Sequence, residues 1–141
     1  MKFRSVIMIL ICAFTLAIGH CVIADAAKTA MISDDERLKK AIEAVITFHE
    51  KSGNPELAGR IRKWYASGHI MVASKSMLNS IGLDMTDADP YYWSPTGAIY
   101  IPENTLLASV NPSGTVDFAA ITQLSGSLAH EMVHANDETM L

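Results

Sequence analysis

Cysteine is nearly absent from this chain, and where it occurs it lies at the very start. Cys12 and Cys21 both fall within the first 21 of 141 residues. Everything after them is free of cysteine, which excludes a disulfide scaffold for the folded part. Basic charge is also scarce: 11 Lys and Arg face 15 Asp and Glu, a formal net charge of −4. No basic patch with interleaved aromatics occurs, so nucleic acid is excluded as a partner class. There is no internal repeat and no low-complexity tract.

The one long apolar run is at the N-terminus. Lys2 and Arg4 form a charged leader, and Val6 to Ile18 is almost wholly apolar. Ala24-Asp25-Ala26 then reads as an A-x-A cleavage signal before Ala27, with a cut after Gly19 as the alternative. The run is short for a membrane span, and His20 and Asp25 interrupt its far end. Membrane attachment is therefore expected only through an uncleaved signal segment. Residues 1–26 are read as a signal peptide and the protein as exported, secreted or periplasmic. The mean hydropathy of +0.21 owes much to this segment. Residues 27–141, about 115 in number, suffice for one compact domain and not for two. Without disulfides, an exported domain of that size relies on its core, helped by a metal.

Helical signals come first in that domain. Ser33 with Glu36 makes a capping box, and Leu38, Ile42, Val45, Ile46 and Phe48 follow at helical spacing up to Gly53. His49 is read as a solvated helix residue. Asn54 and Pro55 start a second helix that stops at Gly68. The pair reads as an antiparallel hairpin of helices. "HIMVAS" (69–74) reads as a strand and "KSMLNSIG" as a short helix ending near Gly82. "YYW" (91–93) and "AIYIP" (98–102) flank the turn "SPTG", which predicts a β-hairpin. Pro102 closes its second strand and marks a sheet edge. After the turn "NPSG" (111–114), helical periodicity returns from Asp117 to about Asp137. The fold class is α+β, mostly helical with a small β-sheet.

The last helix carries His130, Glu131 and His134, spelling H-E-x-x-H. Residues i and i+4 share one helical face, so two imidazoles at that spacing reach one tetrahedral ion. Glu131 lies about 100° around the axis, placed to stand beside the metal and take a proton from water that the metal acidifies. Ile121, Leu124, Leu128, Met132 and Ala135 gather on the opposite side. That apolar side faces the core, leaving the histidines, Glu131 and Gln123 toward a cleft.

"LAHEMVHANDE" resembles the active-site helix of the zincin metallopeptidases, in the lethal-factor-like variant with a small residue and Asp near the second histidine. The resemblance covers roughly residues 97–138. It implies a zinc peptidase whose metal is held by His130 and His134 and whose general base is Glu131. It also implies that "GAIYIPENT" (97–105) is an edge strand beside the cleft, where a peptide or protein substrate adds as a further strand along Tyr100 and Ile101.

A zincin takes a third ligand from beyond the motif, and here the candidates are few. Asp137 or Glu138 would complete the site if the helix unwinds near Ala135-Asn136, or would orient a histidine ring from outside the ligand set. His69 is an upstream alternative, although a lone histidine after glycine is more often a surface residue. Tyr91, Tyr92 and Tyr100 could each donate to an oxyanion, against the plainer reading of hairpin packing. Trp64 and Trp93 read as packing residues. Asp84, Asp87 and Asp89 lack the ligand order of a calcium loop. The sequence thus points to an exported zinc metallopeptidase. The alternative is a non-catalytic or truncated zincin-derived domain that binds zinc weakly and holds a peptide partner.

Overall fold

Helix formation begins at Ser33. In the computed structural model, which describes residues 31–82 and 89–139 (the last three by backbone only), its hydroxyl accepts the Glu36 N–H at 3.2 Å. Helix α1 then runs Asp34–Lys51, with Asp34, Asp35 and Glu36 in the first turn, where the helix dipole favours acids. Helix α2, Pro55–Ala66, starts from Asn54, whose side chain accepts the Leu57 N–H. It stops at Gly68, where φ is +77° and the His69 N–H returns to the Trp64 carbonyl at 2.9 Å. Such a left-handed turn is where a helix end calls for glycine. Leu38, Ile42, Val45 and Ile46 of α1 share one core with Ala58 and Ile61 of α2. Residues 1–26, read from the sequence as a signal peptide, and Asp84 and Asp87 lie outside the described residues.

Strand β1, Ile70–Ala73, precedes the short helix α3, Lys75–Ser80. Strands β2, Tyr91–Trp93, and β3, Ala98–Pro102, form the expected antiparallel hairpin, with Tyr92 opposite Ile99. The Gly97 N–H closes its turn on the Trp93 carbonyl at 3.0 Å. β1 pairs with β3 in parallel, Ile70 beside Ile99 and Val72 beside Ile101. The sheet order is β1-β3-β2.

That order corrects the edge assignment. β3 is the central strand, buried along its whole length, and Tyr100 and Ile101 are 3% and 0% exposed. Both sides of its backbone are taken by neighbouring strands, so no substrate strand can add there. Pro102, read as an edge marker, is the last residue of β3, where a missing N–H interrupts no further pairing. The chain then turns directly into helix α4, Glu103–Ser109, which replaces the rest of the expected strand.

Helix α5, Phe118–Thr139, completes the domain. The Asp117 carboxylate accepts the Ala120 N–H at 2.9 Å at its start. Ile121, Leu124, Leu128, Met132 and Ala135 are all buried, as their spacing predicts. They join Tyr92, Ile99 and Ile101 in the main core on one face of the sheet. Ala98 and Tyr100 pack with Ala73 and Leu78 on the other. The architecture is α+β and mostly helical.

His49 departs from expectation. It is buried, its Nε2 has no hydrogen-bond partner among the described residues, and its ring lies edge-on to Phe48. Its position explains this: it follows Ile42, Val45 and Ile46 at helical spacing, on the stripe that faces the core.

Candidate metal centre

The rotation of α5 is fixed by its apolar stripe, and the site follows from that rotation. With Leu128, Met132 and Ala135 turned inward, His130 and His134 are exposed and Glu131 is half-buried at the margin. The two Nε2 atoms stand 3.0 Å apart, with the ring planes 81° to each other. Two nitrogens on one tetrahedral zinc are separated by about 3.3 Å, given bonds of about 2.0–2.1 Å. The rings therefore need to part by only a few tenths of an ångström. The contact as it stands is a hydrogen bond in which one ring nitrogen donates to the other. Ligand-capable atoms of His130, Glu131 and His134 all lie within 4.8 Å of one another, so this group could hold a metal ion. Two imidazoles and a carboxylate form a mixed nitrogen and oxygen donor set that suits zinc among several first-row metals.

Glu131 is held from outside the helix. Its Oε2 accepts the Tyr92 backbone N–H at 2.8 Å. β2 is an edge strand, so α5 lies against the sheet edge at this point, with the Glu131 carboxylate bonded to that strand. From the other direction, Arg60 Nη2 donates to the Met132 carbonyl at 3.0 Å, tying α2 to the turn that carries the motif. Neither partner was legible in the sequence. Both bonds join residues far apart in the chain, and one uses a backbone group that has no residue signature. The prediction of an edge strand near the cleft was the nearest signal, and it pointed to the wrong strand of the hairpin.

The other candidates do not converge here. His69 is exposed, shares its Nδ1 with the Ser67 hydroxyl at 2.8 Å, and packs on Trp64; it is not a member of the His/Glu/His group. The Tyr100 hydroxyl donates to Thr96 Oγ1 at 3.1 Å, within the cluster on the far side of the sheet. Tyr92 packs beside Trp64 in the main core, and Tyr91 is exposed. α5 continues unbroken past Ala135 and Asn136, so the unwinding invoked for Asp137 and Glu138 does not occur; their side chains lie outside the described residues. Gln123 is exposed, as expected. It lines a small cavity of about 130 Å³ with Ser127, Asn104 and Thr105, between α4 and α5. At 100° per residue, Gln123 and Ser127 share the histidines' side of α5. Ser127 also donates to Asp89 Oδ1 at 3.3 Å.

No family model matches this chain, and no curated protein or solved structure matches it.

Proposed function

We propose that this protein is an exported zinc-dependent metallopeptidase, with His130 and His134 as metal ligands and Glu131 as general base. One observation carries the reading: the two histidine Nε2 atoms converge to 3.0 Å on the solvent side of a helix whose other side is buried. Histidines placed only for packing would fall within the apolar stripe, as His49 does in α1. A zinc ion bound there supplies Lewis-acid polarisation of a peptide carbonyl and acidifies water beside it. The protein's own contribution is proton handling. With Oε2 engaged by the Tyr92 N–H, the other carboxylate oxygen of Glu131 is left to accept a proton from water and return it to the leaving amine. The Tyr92 bond limits how far the carboxylate can swing, and a general base depends on such placement. Export rests on the charged, apolar and A-x-A pattern of residues 1–26.

A second reading has its own support. Among the described residues the group contains only His130, Glu131 and His134. Glu131 as third ligand would leave no base, giving a zinc-binding domain without hydrolytic activity. Zinc stoichiometry after mild chelator washing, with His134→Ala alongside, tests the site. One retained zinc in wild type and none in the variant supports it. Peptide hydrolysis by Glu131→Gln then separates the readings. Hydrolysis lost with zinc retained supports the base, whereas zinc lost with the carboxylate supports the ligand.

A further inference from the structure

We infer that the outer edge of β1, opposite the edge that meets α5, is a docking groove for an extended peptide segment bearing basic side chains. The inference is independent of the metal centre. Among the described residues β1 has a strand on one side only. The Ile99 N–H donates to the His69 carbonyl at 2.8 Å, and Ile70 stands level with Ile99. In a parallel ladder this register turns His69 and Met71 toward β3, and turns the N–H and C=O of Ile70 and Val72 outward.

A cavity of about 630 Å³ lies along that edge. Ile70, Met71 and Val72, three consecutive residues, all line it. Side chains alternate between the two faces of a sheet, so a hollow touching three in a row runs along the strand's flank and not over one face. Gly68 and Ser74, which flank the strand in sequence, line it as well. A strand of four residues spans about 13 Å, so the groove takes about four residues of extended chain.

Charge selects the occupant. Asp34, Asp35 and Glu103 line the cavity, and among the described residues no lysine, arginine or histidine does. Arg37 engages Asp34, but no ion pair involves Asp35 or Glu103 among the described residues. The strand itself, Ile-Met-Val-Ala, carries none of the usual blocks against edge pairing: no proline, no lysine, no inward charge. An incoming strand would satisfy the outward backbone groups and bring alternate side chains to the acidic walls. A lysine or arginine there gains two carboxylates; a glutamate meets repulsion. A second copy of this chain docking edge to edge would set its own Asp35 and Glu103 against the first pair, so self-association through β1 is disfavoured.

The test is fluorescence anisotropy of the full chain with a labelled, end-capped Lys-Val-Lys-Val-Lys peptide. Its Glu-Val-Glu-Val-Glu counterpart and a version N-methylated on alternate amides serve as controls. Binding of the lysine peptide is expected, at least tenfold tighter than either control. Asp35→Asn with Glu103→Gln should weaken it about tenfold and flatten its salt dependence. Val72→Pro removes an outward N–H from an edge strand and should abolish it. The N-methylated peptide keeps the test decisive if that variant misfolds, since it leaves the protein unaltered. Equal affinity for the glutamate peptide, equal affinity for the N-methylated peptide, or dimerisation that Val72→Pro abolishes would each overturn the inference.

Discussion

Replacing Glu131 separates the hydrogen bond it makes to β2 from the role of base proposed for it. Its bond to the Tyr92 N–H joins α5 to β2 across 39 positions of sequence. A hydrogen bond with a charged partner contributes about 1.5–3 kcal/mol when shielded. Glu131 is half-buried, so solvent competition brings the expected contribution to about 1–2 kcal/mol. Glu131→Ala removes the acceptor and should destabilise the domain by that amount. A domain of about 115 residues loses about 4 °C in Tm per kcal/mol, so the expected fall is about 4–8 °C. Glu131→Gln keeps an oxygen in place and loses only the charge, so its loss should stay under about 1 kcal/mol. Urea unfolding followed by far-ultraviolet circular dichroism reads both, with m unchanged if the native and unfolded states keep their compactness. Under the proposed chemistry both variants lose hydrolysis equally. Stability then ranks wild type, Gln, Ala, while activity falls in one step. If Ala and Gln proved equally stable, the reasoning would fail, because the hydrogen bond would contribute nothing.

Three further changes test the frame around the site. Leu128→Ala empties a fully buried position on the helix that carries the motif; it should cost about 2–5 kcal/mol in a urea melt and loosen metal retention with it. Gly68→Ala meets no atom within 4 Å of the added Cβ, so its loss of about 1–2 kcal/mol reflects the positive φ alone, and Gly68→Asn should recover part of it on the same melt. His49→Leu removes a buried ring nitrogen with no partner among the described residues. It should be neutral or stabilising by about 1 kcal/mol, and a lower Tm would show that Nε2 has a partner after all.

Local chemistry made most elements legible. Ser33, Asn54, Gly53 and Gly68 are stop and start signals that act within a few residues, and α1 and α2 begin and end where those signals lie. The stripe of α5 was legible for the same reason, since burial at periodic positions is a property of one helix. What escaped was set at longer range. Nothing within "AIYIP" distinguishes a central strand from an edge strand. That depends on whether another segment pairs with its free side, and here β1 does. α4 was missed because "ENTLLAS" follows directly on the strand without a side-chain cap, so no start signal interrupts the strand reading.

The edge that matters to the candidate site is therefore that of β2, and this changes what strand addition can mean for the chain. Whatever pairs with β2 at Tyr92 must compete with a carboxylate already bonded there at 2.8 Å. The competitor would be a neutral peptide carbonyl, and hydrogen bonds to an ionised acceptor are the stronger kind. A substrate strand thus gains little from that amide unless Glu131 is drawn away from it, as it would be under the second reading, with Glu131 as third ligand of a metal at His130 and His134. Under that reading, metal occupancy and access to the β2 edge would be coupled through one side chain. Binding of a peptide at this edge should then strengthen when zinc is added, and Glu131→Ala should make it independent of zinc; with Glu131 as base its bond to Tyr92 persists, and zinc does not free that amide.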